Sequence, residues 1–239
     1  MKDLPVSQIS TFTLMRFNGL SNTFWIFGQM GKAQKKLEEV PGLLFFKLLG
    51  SGGGNGFSKS LNVNVYALHC VWESEQNATD FFELSDTFSE FKIKSAEIFY
   101  IFLKAVKAHG LWDGTNPYEL QNLSPNGPVV VITRARIKLK FLLKFWRHVP
   151  SLGRKVSQAE GSIFSIGIGE YPWFMQATFS IWDSYEAMRA YAYGSPLHME
   201  VIKNTRELGW YSEELFANFI PYKTVGKWNE LDFHLDQKV

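Results

Sequence analysis

The sequence is poor in the residues that most catalytic and metal-binding motifs require. Among its 239 residues there is one cysteine, Cys70, which excludes an intrachain disulfide and any Cys-x-x-Cys zinc or redox motif. Of its five histidines, four (His69, His109, His148 and His234) form no His-x-x-x-His and do not sit beside a carboxylate at ligand spacing. A closed zinc site, which needs about four converging ligands, is therefore not expected. There is no Gly-x-Ser-x-Gly elbow and no Cys–His nucleophile pattern. The glycine-rich stretch 51–56 lacks the Gly-Lys-Ser/Thr of a phosphate loop and reads as a hairpin loop. No apolar run of about 18 residues suggests a membrane span. The start, MKDLPVSQIS, carries an acidic residue and no apolar stretch of secretory type. A cytoplasmic protein is expected, in which the sequon Asn77-Ala78-Thr79 stays idle. Twenty-five basic residues nearly balance 23 acidic ones, and no stripe of Lys and Arg interleaves with stacking aromatics, so nucleic acid is not an expected partner.

What the chain has in abundance is aromatic side chains: 21 Phe, 9 Tyr and 8 Trp. They suit a core, or a cavity for a flat or apolar ligand. Strand-like runs fall at 12–17, 43–48 and 63–72, helix-like runs at 23–39 and 76–91, and a further amphipathic, helix-like piece at 95–108. The order then recurs: strand 129–136, helix 137–147 with Val149-Pro150 near its break, strands 163–168 and 175–182, helix 184–193. A second helix begins at Ser195-Pro196, where Ser caps and Pro occupies the first turn without losing a bond.

The recurrence is visible residue by residue. Val71-Trp72-Glu73-Ser74 matches Ile181-Trp182-Asp183-Ser184, Leu14-Met15-Arg16 matches Ile132-Thr133-Arg134, and Phe45-Phe46 matches Phe164-Ser165. Pro117-Tyr118 is paired with Pro221-Tyr222. Each half reads as β-α-β-β-α-β, the ferredoxin-like unit. The chain divides into a half at 1–122 and a half at 128–239. Two such sheets packed face to face hide their apolar sides and can enclose a cavity. The expected fold class is α+β, a dimeric α+β barrel built within one chain.

The two halves differ at one position of chemical interest. His198 lies 16 residues after Trp182, and the residue 16 after Trp72 is Phe88. On a helix starting at Pro196, His198 shares an apolar face with Val201, Ile202, Thr205 and Gly209. The positive end of the helix disfavours imidazolium and keeps the ring neutral, the form that ligates a metal or heme iron. A hydrogen-bonded core histidine is the other reading of the same pattern. Arg134 and Arg136 alternate on one strand and share a face; they are candidates for heme propionates or a substrate oxygen, or else rim residues with buried stems. Arg206, about two helical turns after His198, is a second propionate candidate. Residues 137–148, IKLKFLLKFWRH, can rest on an anionic membrane surface or pack on the sheet as an ordinary helix.

One resemblance covers residues 129–221. It is carried by Thr133-Arg134-Ala135, Phe145-Trp146, Val149-Pro150, Gly167-Ile168-Gly169-Glu170 with Pro172, Gln176-Ala177-Thr178-Phe179-Ser180-Ile181-Trp182, Ala192, His198, Arg206, Trp210-Tyr211 and Glu213-Glu214-Leu215-Phe216-Ala217. In combination these resemble the spheroidene monooxygenase family of bacterial carotenoid oxygenases. The resemblance implies an oxidoreductase containing heme b. It implies that O2 and electrons from a ferredoxin oxidise a terminal carbon of an acyclic carotenoid. It further implies His198 as axial ligand, Arg134 and Arg206 against the propionates, and Gln176 or Ser165 in contact with bound oxygen. A carotenoid lives in membranes, which would place the enzyme peripherally on the inner membrane face. Aldoxime dehydratase and chlorite dismutase use fused α+β barrels with a helix histidine as heme ligand, an analogy of fold only. The residues alone also admit a non-catalytic barrel that binds heme or another hydrophobic ligand, and a cofactor-free oxygenase.

Overall fold

A computed structural model describes residues 7–54, 56–58, 60–194, 207–229, 233 and 235. The first half contains β1 (Ile9–Arg16), α1 (Leu20–Glu38), β2 (Leu43–Gly52), β3 (Leu61–Trp72), α2 (Glu75–Leu84), α3 (Asp86–Lys94) and β4 (Glu97–Gly110). The second contains β5 (Val129–Ile137), a 3₁₀ turn (Leu139–Phe141), α4 (Leu142–Ser157), β6 (Ser162–Tyr171), β7 (Met175–Trp182), α5 (Tyr185–Gly194) and β8 (Tyr211–Gly226). The sheet order is β4-β1-β3-β2 in one half and β8-β5-β7-β6 in the other, and the whole is a closed antiparallel barrel. The α+β barrel expected from the repeat is thus the observed fold class.

Closure runs through the strand edges. β4 and β8 pair along most of their length, from Phe99↔Gly226 to Gly110↔Leu215. At the opposite seam β2 and β6 meet only at Gly50↔Gly169 and Ser51↔Ile168. Edge pairing removes the exposed edges that two separate sheets would leave. The barrel interior is filled with side chains, contrary to the expected cavity. Phe12, Leu14, Val65, Ala67, Phe99, Ile101, Val130, Ile132, Ile166, Phe179 and Phe219 all belong to one buried cluster. At its centre Phe12 stacks on Phe179 with centroids 3.8 Å apart.

Four local expectations are corrected. Residues 95–108 are strand, not helix: alternate side chains Phe99, Ile101, Leu103 and Ala105 enter the barrel while Tyr100 and Phe102 face the helices. The helix-like run 76–91 is broken at Ser85, whose backbone N–H closes α2 on Phe81 and whose hydroxyl caps α3 by accepting from Phe88 N. Pro117-Tyr118 is not the counterpart of Pro221-Tyr222. Pro221 is in β8 opposite Leu103, whereas Tyr118 lies in the segment joining the halves and enters the barrel cluster. In the second half the helix begins later and runs beyond Pro150 to Ser157. No described helix is long and apolar enough to cross a membrane.

Candidate functional site

Strand alternation gives each half an outward sheet face beneath its helices, and these two faces differ in chemistry. In the first half the register sets Phe46, Cys70, Thr11 and Phe102 in one row across β2, β3, β1 and β4, and Leu48, Leu68, Thr13 and Tyr100 in the next. Helices α1 to α3 seal these rows with Ile26, Leu37, Phe81, Phe82, Phe88 and Phe91. The corresponding rows of the second half are Ser165, Ser180, Val131 and Asn218, then Gly167, Thr178, Thr133 and Phe216, then Gly169, Gln176, Ala135 and Glu214. Where one half places Phe46, Leu48, Tyr66 and Leu68, the other places Ser165, Gly167, Gln176 and Thr178. The result is a floor of small and polar side chains. Among the described residues its hydrophobic packing is correspondingly small, with Val129, Val131, Val156, Trp182 and Met188 as the buried set.

Two polar atoms on this floor, Ser165 Oγ and Asn218 Oδ1, are buried without a hydrogen-bond partner among the described residues. Leaving such a group unmet costs about 1–3 kcal/mol; Thr13 Oγ1 in the outward rows of the first half is likewise without one among the described residues. The glycine-rich loop of the first half lies on part of this floor, with the Gly56 backbone covering the outward side of Gly167. A Cβ on Gly56, which has φ of +87°, would lie 2.0 Å from the Gly167 carbonyl oxygen, and one on Gly153 of α4 would meet the Phe57 ring at 2.2 Å. These glycines let the loop close over β6 and press Phe57 onto α4, which accounts for residues 51–56 without a phosphate.

The structure therefore sets Ser165 and Gln176 on one outward face, in adjacent strands but two rows apart, about 13 Å along the strand direction. It separates Arg134 from them. Arg134 points into the barrel, where its side chain is 1% exposed, and its guanidinium is committed to carboxylates. Nη1 pairs with Glu213, Nη2 reaches Asp113 and Glu170 at 3.2 Å each, and Nε donates to Glu170 at 3.3 Å. Lys47 pairs with Asp113 and lies 3.4 Å from Glu170, while Arg136 reaches Asp113 at 2.8 Å. The Asp113 and Gly114 N–H groups and the Trp112 indole complete the carboxylates by donating to Glu213 and Glu170. Burial alone would raise the Asp113 and Glu213 carboxyls, but the neighbouring cations and, for Glu213, the backbone donors outweigh it and hold both below their ordinary range. This network closes one barrel mouth, and it engages the guanidinium for which a propionate partner was expected. His198 and Arg206 lie outside the described residues.

Sequence reasoning set His69 aside for want of ligand spacing, yet it is the most perturbed histidine described. It is fully buried in the barrel, its Nδ1 3.1 Å from the Thr11 carbonyl and its Nε2 2.9 Å from the Tyr118 hydroxyl. Since a carbonyl only accepts, Nδ1 carries the proton and Nε2 accepts from the phenol. Trp112 lies nearly parallel to the ring, with centroids 5.8 Å apart. The signal was alternation alone, which sets His69 on the lumen face with Val65, Ala67 and Val71. Burial lowers its pKa from 6.5 to about 4, partly opposed by the Thr11 bond. The unfolded imidazole takes a proton first, so this contribution to stability is full above about pH 6.5 and is lost as pH falls toward 4. It amounts to about 3 kcal/mol. Urea unfolding at pH 7.5 and 4.5 should show His69→Gln with a smaller acid loss than the wild type by that amount; equal losses would show that His69 does not carry it.

No protein-family model matches the chain. The spheroidene monooxygenase of Rhodobacter capsulatus is 37% identical over 228 residues, covering 94% of this chain and 93% of that protein. The spheroidene monooxygenase of Cereibacter sphaeroides is 33% identical over 94% of this chain and 70% of that protein. Among solved structures, an aldoxime dehydratase bound to butyraldoxime aligns with a TM-score of 0.61 at 10% identity, over 91% of this chain and 80% of that one, a likeness of fold. The sequence likeness spans both halves, including the first, which residues 129–221 alone did not reveal. With that identity over nearly its whole length, the chain belongs to the spheroidene monooxygenase family and is an oxygenase.

Proposed function

We propose that the protein is a heme-dependent monooxygenase that oxidises a terminal carbon of an acyclic, carotenoid-like polyene, with O2 as oxidant and a ferredoxin-type protein as electron donor. The observation that carries this reading is the small, polar outward floor of the second half, with Ser165, Gly167 and Thr178, at the place where the first half is filled by aromatic and aliphatic side chains. A flat cofactor fits the chemistry of that floor, and the half at 128–239 is then the cofactor-bearing one. The repeat assigns His198 the place of Phe88, which packs over the equivalent floor against Tyr100 and Phe82.

On this reading His198 holds the heme b iron through a neutral imidazole, and Arg206 neutralises a propionate. When bound, the heme supplies the iron that activates dioxygen. Either Ser165, with its hydroxyl, or Gln176, with its amide, would offer a donor to an oxygen atom from the floor. Phe57, Tyr191 and Phe216, partly buried beside the second half's small cluster, would exclude water and hold the apolar end of the substrate. A polyene of this kind partitions into lipid, so the enzyme meets it as a peripheral protein on the cytoplasmic side of a membrane.

The test is an absorption spectrum of protein produced with heme precursor, oxidised and then reduced by dithionite under carbon monoxide. A Soret band that shifts on reduction, with O2-dependent turnover of an acyclic carotenoid on addition of reduced ferredoxin, is expected. Protein that stays colourless and takes up no added heme would overturn the reading. A second variant tests the location. Ser165→Phe with Thr178→Leu copies Phe46 and Leu68 of the first half, and should strip most of the heme while the far-UV circular dichroism is kept. Full heme content in that double variant would place the cofactor elsewhere.

A further inference from the structure

Two exposed helix faces flank the short β2–β6 seam. Helix α1 packs over β2 and β3, helix α4 over β6, and β2 and β6 are neighbours. On α1, Leu20, Phe24 and Phe27 follow the spacing of a single helical face, and Leu139 and Leu143 stand at the start of the second helical segment. All five side chains are between 64% and 79% exposed. Trp173 and Tyr171 are exposed on the turn between β6 and β7, which α4 anchors by the Trp146 indole donating to the Trp173 carbonyl at 2.8 Å. Trp173 has φ of +72°, a conformation strained for a bulky residue.

The charge around these faces is predominantly basic, although α1 ends on Glu38 and its Lys36 pairs with Glu90 of α3 at 3.0 Å. Residues 17–37 and 137–159 contain nine of the chain's 25 basic residues and none of its 23 acidic ones, so the remainder of the chain is net acidic. Leu84 and Ile93 are equally exposed, but they stand among Glu83, Asp86 and Glu90. Apolar side chains ringed by lysine, with Trp and Tyr beside them, have the composition of a surface that enters the headgroup layer of an anionic bilayer. A second copy of the chain is a poor occupant, because a two-fold contact through this surface would set like charges against each other.

We propose that α1 and the 3₁₀–α4 segment, with the β6–β7 turn, form the surface by which the enzyme docks on anionic phospholipid. The proposal gives a surface to the membrane contact in the functional reading above, and rests on that reading only for its purpose. Co-sedimentation with vesicles of phosphatidylcholine mixed with phosphatidylglycerol tests it, against vesicles of phosphatidylcholine alone. Binding to the mixed vesicles, weakened by salt, is expected. Lys140→Glu with Lys144→Glu should weaken it by about tenfold or more, and Phe24→Ser with Phe27→Ser should weaken it while leaving the sedimentation coefficient of the free protein unchanged. Absence of binding, equal binding to both vesicles, or a change of oligomeric state in the phenylalanine variant would overturn the proposal. Heme content and turnover of detergent-dispersed carotenoid, measured on the same preparations, are expected to be unaffected by both variants. Loss of vesicle binding with heme retained is therefore distinguishable from failure of the heme reading.

Discussion

His198→Ala is expected to abolish heme retention and O2-dependent turnover together, and to leave the thermal unfolding of the heme-free protein unchanged. In the first half the equivalent position is Phe88. There the side chain is buried between α3 and the outward sheet face, 4.7 Å from Phe82 and 5.8 Å from Tyr100 between ring centroids. That position is structural, and Phe88→Ala should cost about 3–5 kcal/mol through the cavity it leaves. The corresponding sheet residues of the second half are Ser165, Ser180, Gly167 and Thr178, which offer little apolar surface. A neutral imidazole in the first turn of a helix is suited to iron instead. The two alanine variants should therefore have opposite signatures: Phe88→Ala unstable but heme-replete, His198→Ala stable but heme-free. Optical spectra and differential scanning calorimetry on the pair read both. Stoichiometric heme with an unchanged spectrum in His198→Ala would refute the ligand role.

Much of the fold was legible because the sequence repeats itself. The matched Trp72-Glu73-Ser74 and Trp182-Asp183-Ser184 end equivalent strands and start equivalent helices, with Ser74 and Ser184 accepting from the backbone N–H three residues on. β4 was misread because FYIFLKAVKAHG satisfies a helical and a two-residue period at once; only its pairing with β1 and β8 decides between them. The filled barrel was not legible, since its plug comes from Trp112 and Tyr118 in the segment between the halves, and their partners Glu170 and His69 are 58 and 49 residues away. The ion network drew on positions 47, 113, 134, 136, 170 and 213 for the same reason. Arg134 could be placed on a strand face from the sequence, but which face was the barrel interior could not. The outward floor was half visible. The pairing of Phe45-Phe46 with Phe164-Ser165 was read correctly, and the loss of bulk it implies acquires meaning once Phe46 is seen to face the helices.

Arg134→Met is expected to lower unfolding stability by about 3 kcal/mol and to leave heme content untouched. Breaking a buried ion pair from one side typically costs about 3–5 kcal/mol, most of it from the charge left behind. Here Arg134 is 1% exposed while Glu170 and Glu213 keep 12% and 14% of their side-chain surface, so water and Lys47 relieve part of the penalty and the lower end applies. The loss must depend on pH. Asp113 and Glu213 are held below their ordinary values of 3.8 and 4.5, so the stability they confer is present above that range and is lost as pH falls through their lowered folded values. Without the guanidinium both carboxyls rise, and the variant should lose less stability than the wild type between pH 5 and pH 3, on the order of 1 kcal/mol per unit of lost depression. Glu213→Gln added to Arg134→Met removes one orphaned charge and should recover part of the deficit, a coupling that a double-mutant cycle in urea measures. If Arg134→Met instead kept its stability and shed heme, the guanidinium would have to serve a propionate, and its three carboxylate partners inside the barrel argue that it does not.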